Sequence, residues 1–213
     1  MRRTGLSKED LITVLDKEGK PVYQLGYLTN QGGSEFVVRT KMGLNSENME
    51  NMESERKTKK VSDSLTEVTK LLQYKDINGY DRLFGGRLME WIDEAAGIAA
   101  LRHCGGEITT ACVDTLQFKH AAYLHDLVVI IAKVTYVGRT SMEVRVDSYV
   151  EDCKTGMRYL INHAYLTEVH VDSSGKPLPI EYGLELTNEV ERAEWEGARK
   201  RIAVRKTRQA EGF

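Results

Sequence analysis

The longest regular hydrophobic pattern in the chain lies between Phe84 and Gly106. Apolar residues recur there at the spacing of one helix face: Leu88, Ile92, Ala95 and Ala99. The stretch ends at Cys104-Gly105-Gly106, where glycine can adopt the left-handed conformation that caps a helix. The pattern predicts one helix of about 19 residues with a single buried face.

Four strand-like segments follow this helix: Ile108–Phe118, Leu127–Val137, 141–150 and 157–171. In the third segment, apolar Met142 and Val144 alternate with charged Glu143 and Arg145, which predicts one buried and one wet face. The connections are too short for crossover helices and therefore favour antiparallel pairing. The predicted fold class is α+β, with one long central helix against an antiparallel sheet.

The chain outside this region is less regular. An appendage at 1–44 combines a helix start at 7–10, with apolar residues at 11–15 behind it, and a hairpin pattern over 21–40 around Asn30-Gln31-Gly32-Gly33. Residues 45–60, with four glutamates and then four basic residues, are interpreted as a charged linker.

The main domain is predicted at 61–187. A second, basic helix or tail follows at 188–213, with Val190, Trp195 and Ile202 among its many arginines and lysines.

Composition excludes several classes of protein. Apolar residues make up 41% and charged residues 29% of the 213 positions, as in an ordinary globular protein. Thirty basic against 32 acidic residues create no general field for nucleic acid, and no apolar run approaches the ~20 residues that span a bilayer. We therefore expect a cytoplasmic protein with neither a nucleic-acid nor a membrane partner. Three cysteines without a C-x-x-C pair argue against disulfides and a structural metal site.

Asp93 is the most promising chemical group in the long helix. Its neighbours on the same face are mostly apolar or small, at positions 89, 90, 96 and 97. This surround predicts a partly desolvated carboxylate with a raised pKa, suited to act as a general base or a nucleophile. The alternative, an ordinary surface aspartate beside Glu94, stays open.

The glycines before the helix offer a second feature. In Phe84-Gly85-Gly86, unhindered backbone amides at the positive helix end could stabilise an oxyanion, although a tight strand-to-helix turn explains the same pair. Asn78, in an Asn-Gly pair, is most simply a turn residue. His163 and His170 lie in a predicted strand, where core or cross-strand roles are commoner than metal ligation. The chain lacks the motifs of serine hydrolases, zincins and nucleoside triphosphatases.

Longer fragments resemble a known family. They are Thr66-Glu67-Val68-Thr69, the run from Asn78 through Phe84-Gly85-Gly86 to Asp93-Glu94, Thr110-Ala111, Phe118, Asp126, and Tyr136-Val137-Gly138-Arg139-Thr140-Ser141. Together they are similar to the acyl-CoA hydrolases of the hotdog superfamily, in particular the cytosolic brain type, over roughly 61–171.

The resemblance implies a fold and a site. The family wraps a sheet around one long helix, pairs protomers edge to edge and often assembles trimers of dimers. Asp93 is implied as the catalytic carboxylate, and Asn78 of the facing protomer as the group that places the thioester or water. In such a reaction, helix N-terminal amides near Gly85 and Gly86 could polarise the thioester carbonyl. Coenzyme A would be held by Phe84 and by the turn residues Gly138, Arg139, Thr140 and Ser141.

The chain also departs from the family pattern. Asp81 stands where the family usually has glycine, and Tyr74 where it has proline. In the run from Phe118 to Asp126, Ala121 and His125 replace a proline and a glycine. These positions belong to substrate-side loops, so they bear on acyl preference more than on the reaction.

We therefore expect an acyl-CoA thioesterase that uses no metal or redox cofactor and self-associates at least as a dimer. The alternative is an acyl-CoA-binding sensor without turnover, since some hotdog domains are fused to an N-terminal DNA-binding unit. The presence of both Asn78 and Asp93 favours turnover. A dehydratase is less consistent, because hotdog dehydratases generally depend on a histidine and 61–101 contains none.

Overall fold

A computed structural model divides the chain into two compact units, Met1–Glu55 and Arg56–Phe213. The structure describes residues 56–212 in full and, in the first unit, the backbone of three strands. The predictions for 7–10 and for 45–55 lie outside these described residues.

The three strands of the first unit form an antiparallel sheet in chain order: β1 (Leu11–Leu15), β2 (Pro21–Asn30) and β3 (Gly33–Arg39). The predicted hairpin is confirmed, since Asn30 pairs with Gly33 at its tip. The predicted helix over 11–15 is wrong, because this segment pairs with β2 as a strand. Three of its five residues, Ile12, Thr13 and Val14, are β-branched and suit extended backbone.

The second unit begins inside the predicted linker. Thr58–Lys60 forms a short strand, β4, which pairs in parallel with β10 (Gly183–Glu185), so this part of the linker prediction is wrong. Lys59 donates from Nζ to the carbonyls of Arg102 and His103 at 3.0 and 2.7 Å. A charged segment is thus ordered because its ammonium group satisfies carbonyls at the negative end of the long helix.

A five-stranded antiparallel sheet dominates the second unit, with strand order β5-β7-β8-β9-β6. Its strands are β5 (Thr66–Leu71), β6 (Ile108–Phe118), β7 (Leu127–Val137), β8 (Ser141–Glu151) and β9 (Arg158–His170). The four strands predicted after the helix are all present. A short helix, α1 (Val61–Ser64), leads into β5, and a 3-10 turn, Tyr74–Asp76, follows it.

The predicted long helix is α2 (Gly85–Cys104), and it packs on one face of the sheet. Gly105 ends it in the left-handed conformation, with φ of 72° and its N–H donating to Leu101. Four alanines of α2 are completely buried: Ala95, Ala96, Ala99 and Ala100. Their small side chains let the helix lie close to the sheet, where buried residues of β7, β8 and β9 complete one core.

The opposite face of the sheet is covered by the second predicted helix, α3 (Glu189–Glu211), which Asn188 caps. Arg201 donates to both carboxylate oxygens of Glu143 at 2.7 and 3.0 Å. The prediction of a wet sheet face is therefore wrong, because Glu143 is only 2% exposed under α3. Among the residues described, no helix is both long and apolar enough to span a membrane.

Two departures from the family pattern share a backbone feature. Asp81 and His125 are the two non-glycine residues of 56–212 with positive φ, at 56° and 72°. Both stand where the family usually has glycine, which adopts this conformation without steric cost. The two side chains therefore impose a local cost of about 1 kcal/mol each.

The positive φ of His125 predicts that glycine is more stable than alanine at position 125. The opposite order is expected at His120, which lies in the same loop. At position 125, His125→Gly should be more stable than His125→Ala by about 1 kcal/mol, because only glycine relieves the left-handed strain. Both variants lose the edge contact with Tyr74, so their difference isolates the backbone. Denaturant unfolding of both variants measures it.

The same pair of substitutions at His120 is the control. His120 is exposed and lacks a positive φ, so alanine should be the more stable residue there. An alanine preference at both positions would contradict the assigned strain at His125.

Candidate active site

Asp93 lies on α2 where the helix faces β6. The hydroxyl of Thr110 in β6 donates to Asp93 Oδ1 at 2.7 Å, which orients the carboxylate. The predicted partial desolvation is wrong within a single chain, since Asp93 is exposed. Its helix neighbours Ile92 and Ala95 are buried, so Asp93 stands at the rim where the core meets the surface.

A second carboxylate lies on the other side of the same hydroxyl. Glu168 of β9 is completely buried, and both of its oxygens lie 3.2 Å from Thr110 Oγ1. Burial raises the pKa of Glu168 from its ordinary 4.5 to about 7, because the charged form loses its hydration. The Thr110 hydrogen bond acts in the opposite direction, and the negative charge of Asp93 raises the pKa further.

The surface around Asp93 is concave and largely apolar. It is lined by Gly86, Met89, Glu90, Ile92, Asp93, Val113, Leu116 and Leu166. Gly86 thus lines the same concavity as the Asp93 carboxylate. The arrangement can hold an apolar chain beside a polar reacting group, because one ordered carboxylate is set in an apolar wall.

The glycines at the start of α2 are in close contact with aromatic rings. A Cβ at Gly85 would lie 3.3 Å from the ring of Phe118, and one at Gly86 only 2.6 Å from the ring of Phe84. Phe84 is the N-cap residue and contributes no side-chain acceptor to the first helical amides. These N–H groups can therefore receive an oxyanion at the positive end of the helix.

Asn78 lies in a turn, and its side chain organises that turn. Its Oδ1 accepts from the N–H of Tyr80 at 2.9 Å and of Arg82 at 3.3 Å, while its Nδ2 has no hydrogen-bond partner within 56–212. Asn78 lines a different concavity from Asp93, together with Leu83, Leu88, Phe118, Ala122 and Ile161 among others. One chain therefore does not bring the two predicted residues into contact.

The predicted coenzyme A turn, Gly138 to Ser141, connects β7 and β8. It is closed by a hydrogen bond from Gly138 N–H to Ser141 O at 2.8 Å, and the Arg139 side chain is exposed. The Thr140 carbonyl accepts from His170 N–H at 3.0 Å, which holds the turn against the end of β9. No hydrogen bond or ion pair among the described residues joins this turn to Asp93.

The two histidines predicted in a strand, His163 and His170, make contacts within the chain. His170 Nδ1 lies 3.0 Å from the carbonyl of Pro179, and burial lowers the pKa of His163, which stands beside Tyr165.

Cys104, Cys112 and Cys153 are free thiols. Within 56–212 no group of three or more His, Cys, Asp or Glu side chains is placed to hold a metal ion.

Sequence reasoning assigned no role to Thr110 and did not find Glu168. The signal for Glu168 was present, because it continues the alternating inner positions Ala164 and Leu166 of β9. A glutamate at such an inward position indicates a buried carboxylate. Thr110 gave no comparable signal, since it is one of several threonines in β6 and its partner is distant in sequence.

Comparisons with known proteins agree with this architecture. The thioesterase superfamily model matches residues 80–157. Protein YkhA of Bacillus subtilis, an uncharacterized acyl-CoA thioester hydrolase, is 44% identical over 49% of this chain and 61% of its own length. Protein VdlD of Helicobacter pylori is 36% identical over 58% of this chain and 70% of its own. A cytosolic acyl coenzyme A thioester hydrolase of Rattus norvegicus is 30% identical over 70% of this chain and 40% of its own.

Solved structures match a larger share of this chain. An acyl-CoA hydrolase from Staphylococcus aureus, determined with butyryl coenzyme A and coenzyme A, has a TM-score of 0.69 and 33% identity over 73% of this chain and 94% of its own. A hexameric acyl-CoA thioesterase has a TM-score of 0.69 and 37% identity over 72% of this chain and 98% of its own. With its sheet packed on one long helix, the chain belongs to the thioesterase superfamily and has the hotdog fold.

Proposed function

We propose that this chain is an acyl-CoA thioesterase, which hydrolyses acyl-CoA to a free carboxylic acid and coenzyme A. The observation that carries the proposal is the Asp93 carboxylate, oriented by Thr110 at 2.7 Å in an apolar concavity that also contains Gly86. A hydrophobic acyl chain beside a thioester needs this combination of an apolar wall and one directed carboxylate.

The Staphylococcus aureus enzyme supports these roles. Its structure has been solved with coenzyme A, and separate variants carry alanine in place of one Asn, one Asp and one Thr. The spacing of those three positions is that of Asn78, Asp93 and Thr110 in this chain. We therefore assign the hydrolytic site to these three residues.

The reaction follows from these groups. First-turn amides at Gly85 and Gly86 polarise the thioester carbonyl and stabilise the oxyanion that develops on it. Asp93 either removes a proton from the attacking water or attacks the carbonyl carbon directly. In the first route, the C–S bond breaks as water adds, and the departing thiolate of coenzyme A receives the proton that Asp93 took from that water. In the second route, the C–S bond breaks to leave a mixed anhydride between Asp93 and the acyl group. Water then hydrolyses the anhydride, which releases the free acid, restores Asp93 and supplies the thiol proton. Hydrolysis exchanges no electrons, so we propose that the reaction uses no redox cofactor, and we assign no step to a metal.

A dimer would complete the site. Asn78 and Asp93 line separate concavities of one chain, and β6, which carries Thr110, is an edge strand of the sheet. An unpaired edge strand can extend its sheet by pairing with a second copy. Two structural neighbours are described as hexameric, which supports further assembly into a trimer of dimers. The rat relative is named cytosolic, which supports the expected cytoplasmic location.

Thiol release from a panel of acyl-CoA esters by the purified chain tests the activity. We expect turnover of at least one ester at saturating concentration. Saturable binding of acyl-CoA with no thiol release from any ester would instead support the sensor alternative.

Asp93→Ala should lower kcat by about 10² to 10⁴, the usual contribution of a positioned acid-base group, with the fold retained. The measurement is steady-state thiol release, accompanied by thermal unfolding of the variant. Glu94→Ala is the matched control, because Glu94 is the adjacent exposed carboxylate and lies near Lys70 instead. A folded Asp93→Ala protein with near-normal kcat would remove Asp93 from the mechanism.

Mixing Asn78→Ala chains with Asp93→Ala chains tests the shared site. After full exchange, half of the dimers are mixed and one of their two sites is intact, so about one quarter of the wild-type rate should return. Native mass spectrometry verifies the exchange when one of the two variants is labelled with ¹⁵N, because the unlabelled variants have almost the same mass. Inactive mixed dimers would show that both residues act within one chain.

Arg139→Ala should raise KM for acyl-CoA and change kcat little, because a guanidinium that pairs with a coenzyme A phosphate binds the ground and transition states equally. Acyl-pantetheine lacks the nucleotide phosphates, so mutant and wild type should hydrolyse it equally. Lys154→Ala, in the exposed turn between β8 and β9, is the matched control. If KM for acyl-CoA is unchanged, or if kcat/KM falls equally for acyl-CoA and acyl-pantetheine, Arg139 has only a structural role in the turn.

A further inference from the structure

Thr110 is placed between two carboxylates but has one hydroxyl proton. Its Oγ1 lies 2.7 Å from Asp93 Oδ1 and 3.2 Å from each oxygen of Glu168. A hydroxyl donates one hydrogen bond and accepts others, so it cannot donate to both carboxylates at once. When Thr110 donates to Asp93, Glu168 can form a hydrogen bond with Thr110 only by donating its own carboxyl proton to the Thr110 oxygen.

We propose that Glu168 is a positioning residue for thioester hydrolysis, which in its protonated form donates to Thr110 and thereby commits the Thr110 proton to Asp93. The inference rests on the proposed function, since it gives Glu168 a role in that reaction. Glu168 acts through Thr110 and is not required to touch the substrate.

Burial gives Glu168 this property. Its side chain is completely buried, and an ionised carboxylate without water needs a donor of its own. Its cross-strand partners are Thr110 in β6 and Met142 in β8, and neither carries a charge. Across from it, α2 contributes Asp93, which is also negative. On its own strand, His170 is turned towards Gly106 and Pro179.

These neighbours explain why Glu168 holds its proton near neutral pH. Desolvation raises its pKa to about 7, and the charge of Asp93 acts in the same direction. Above this pH, Glu168 ionises and competes with Asp93 for the single Thr110 proton. It also places a buried negative charge beside a reaction whose transition state accumulates negative charge. Both effects lower the rate.

The wild-type pH profile should therefore have an alkaline limb set by Glu168. If the ionised form is inactive, kcat falls by about tenfold between pH 6 and pH 8 for a group that titrates near 7. Glu168→Gln keeps a donor for Thr110 and cannot ionise, so its kcat should match wild type within about twofold at pH 6 and stay level to pH 8. Glu168→Leu removes the donor, so its kcat should lie below that of Glu168→Gln at every pH and should show no alkaline limb.

Glu94→Gln is the control, because this exposed carboxylate of α2 lies near Lys70 and should leave the limb unchanged. A mere packing role would make Glu168→Gln and Glu168→Leu behave alike, and it would move no pH profile. An alkaline limb that persists in Glu168→Gln, or a wild-type profile that lacks one, would overturn the proposal.

A second measurement does not depend on hydrolysis. The raised pKa means that folded Glu168 binds its proton more tightly than unfolded Glu168, so wild-type stability should fall as pH rises from about 4.5 to about 7 and then level off. Glu168→Gln should lose less stability over the same interval. If wild type and Glu168→Gln differ in this way but no ester is hydrolysed, the proposed function is wrong and the titration of Glu168 is not. Its absence would show that Glu168 does not titrate as the proposal requires.

Discussion

The close approach of α2 to the sheet is the constraint on which the rest of the second unit depends. It is possible because the four alanines at 95, 96, 99 and 100 are completely buried and present only methyl groups to the strands. A larger side chain at any of them would push the helix away from the sheet. The same short distance brings Asp93 within 2.7 Å of Thr110 and covers Glu168. The close packing of α2 on the sheet therefore both fills the core and brings the site residues together.

The site combines groups that differ mainly in exposure. Asp93 is exposed to water, whereas Glu168 is enclosed by the core, and this burial raises the pKa of Glu168. The Thr110 hydroxyl between them is small and can both donate and accept, so it links the two carboxyl groups. Two carboxylates in one site therefore take different roles because the environment of each is different.

The two faces of the sheet are covered in different ways. On the inner face, α2 contributes apolar surface. On the outer face, α3 contributes arginines, and Arg201 and Arg205 meet Glu143 and Asp114. A buried carboxylate is stable only when it is paired, so Glu143 at 2% exposure requires Arg201 above it. Arg201 and Arg205 are therefore paired within the chain, and Trp195 of the same helix packs on Tyr136.

The sequence by itself determined the local elements of the second unit. The bounds of α2 and the long strands followed from period and glycine placement, because hydrophobic spacing and caps are properties of neighbouring residues. The resemblance located Asp93, Asn78 and the turn at Arg139 through motifs of the same kind. The local pattern of 11–15 did not determine its structure, because its pairing with β2 supplied the hydrogen bonds of a strand.

Tertiary structure alone decided which side chains meet. Register shifts between Thr110 and Cys112 and between Val113 and Thr115 place Thr110, Val113 and Leu116 opposite the inward residues of β9. A simple alternation of period two would not put these three on one face, because each bulge reverses the sides that follow it. Thr110 and Glu168 are 58 positions apart, so neither residue signals the other. Their shared hydrogen bond, and the burial that perturbs Glu168, exist only once β6, β9 and α2 are packed together.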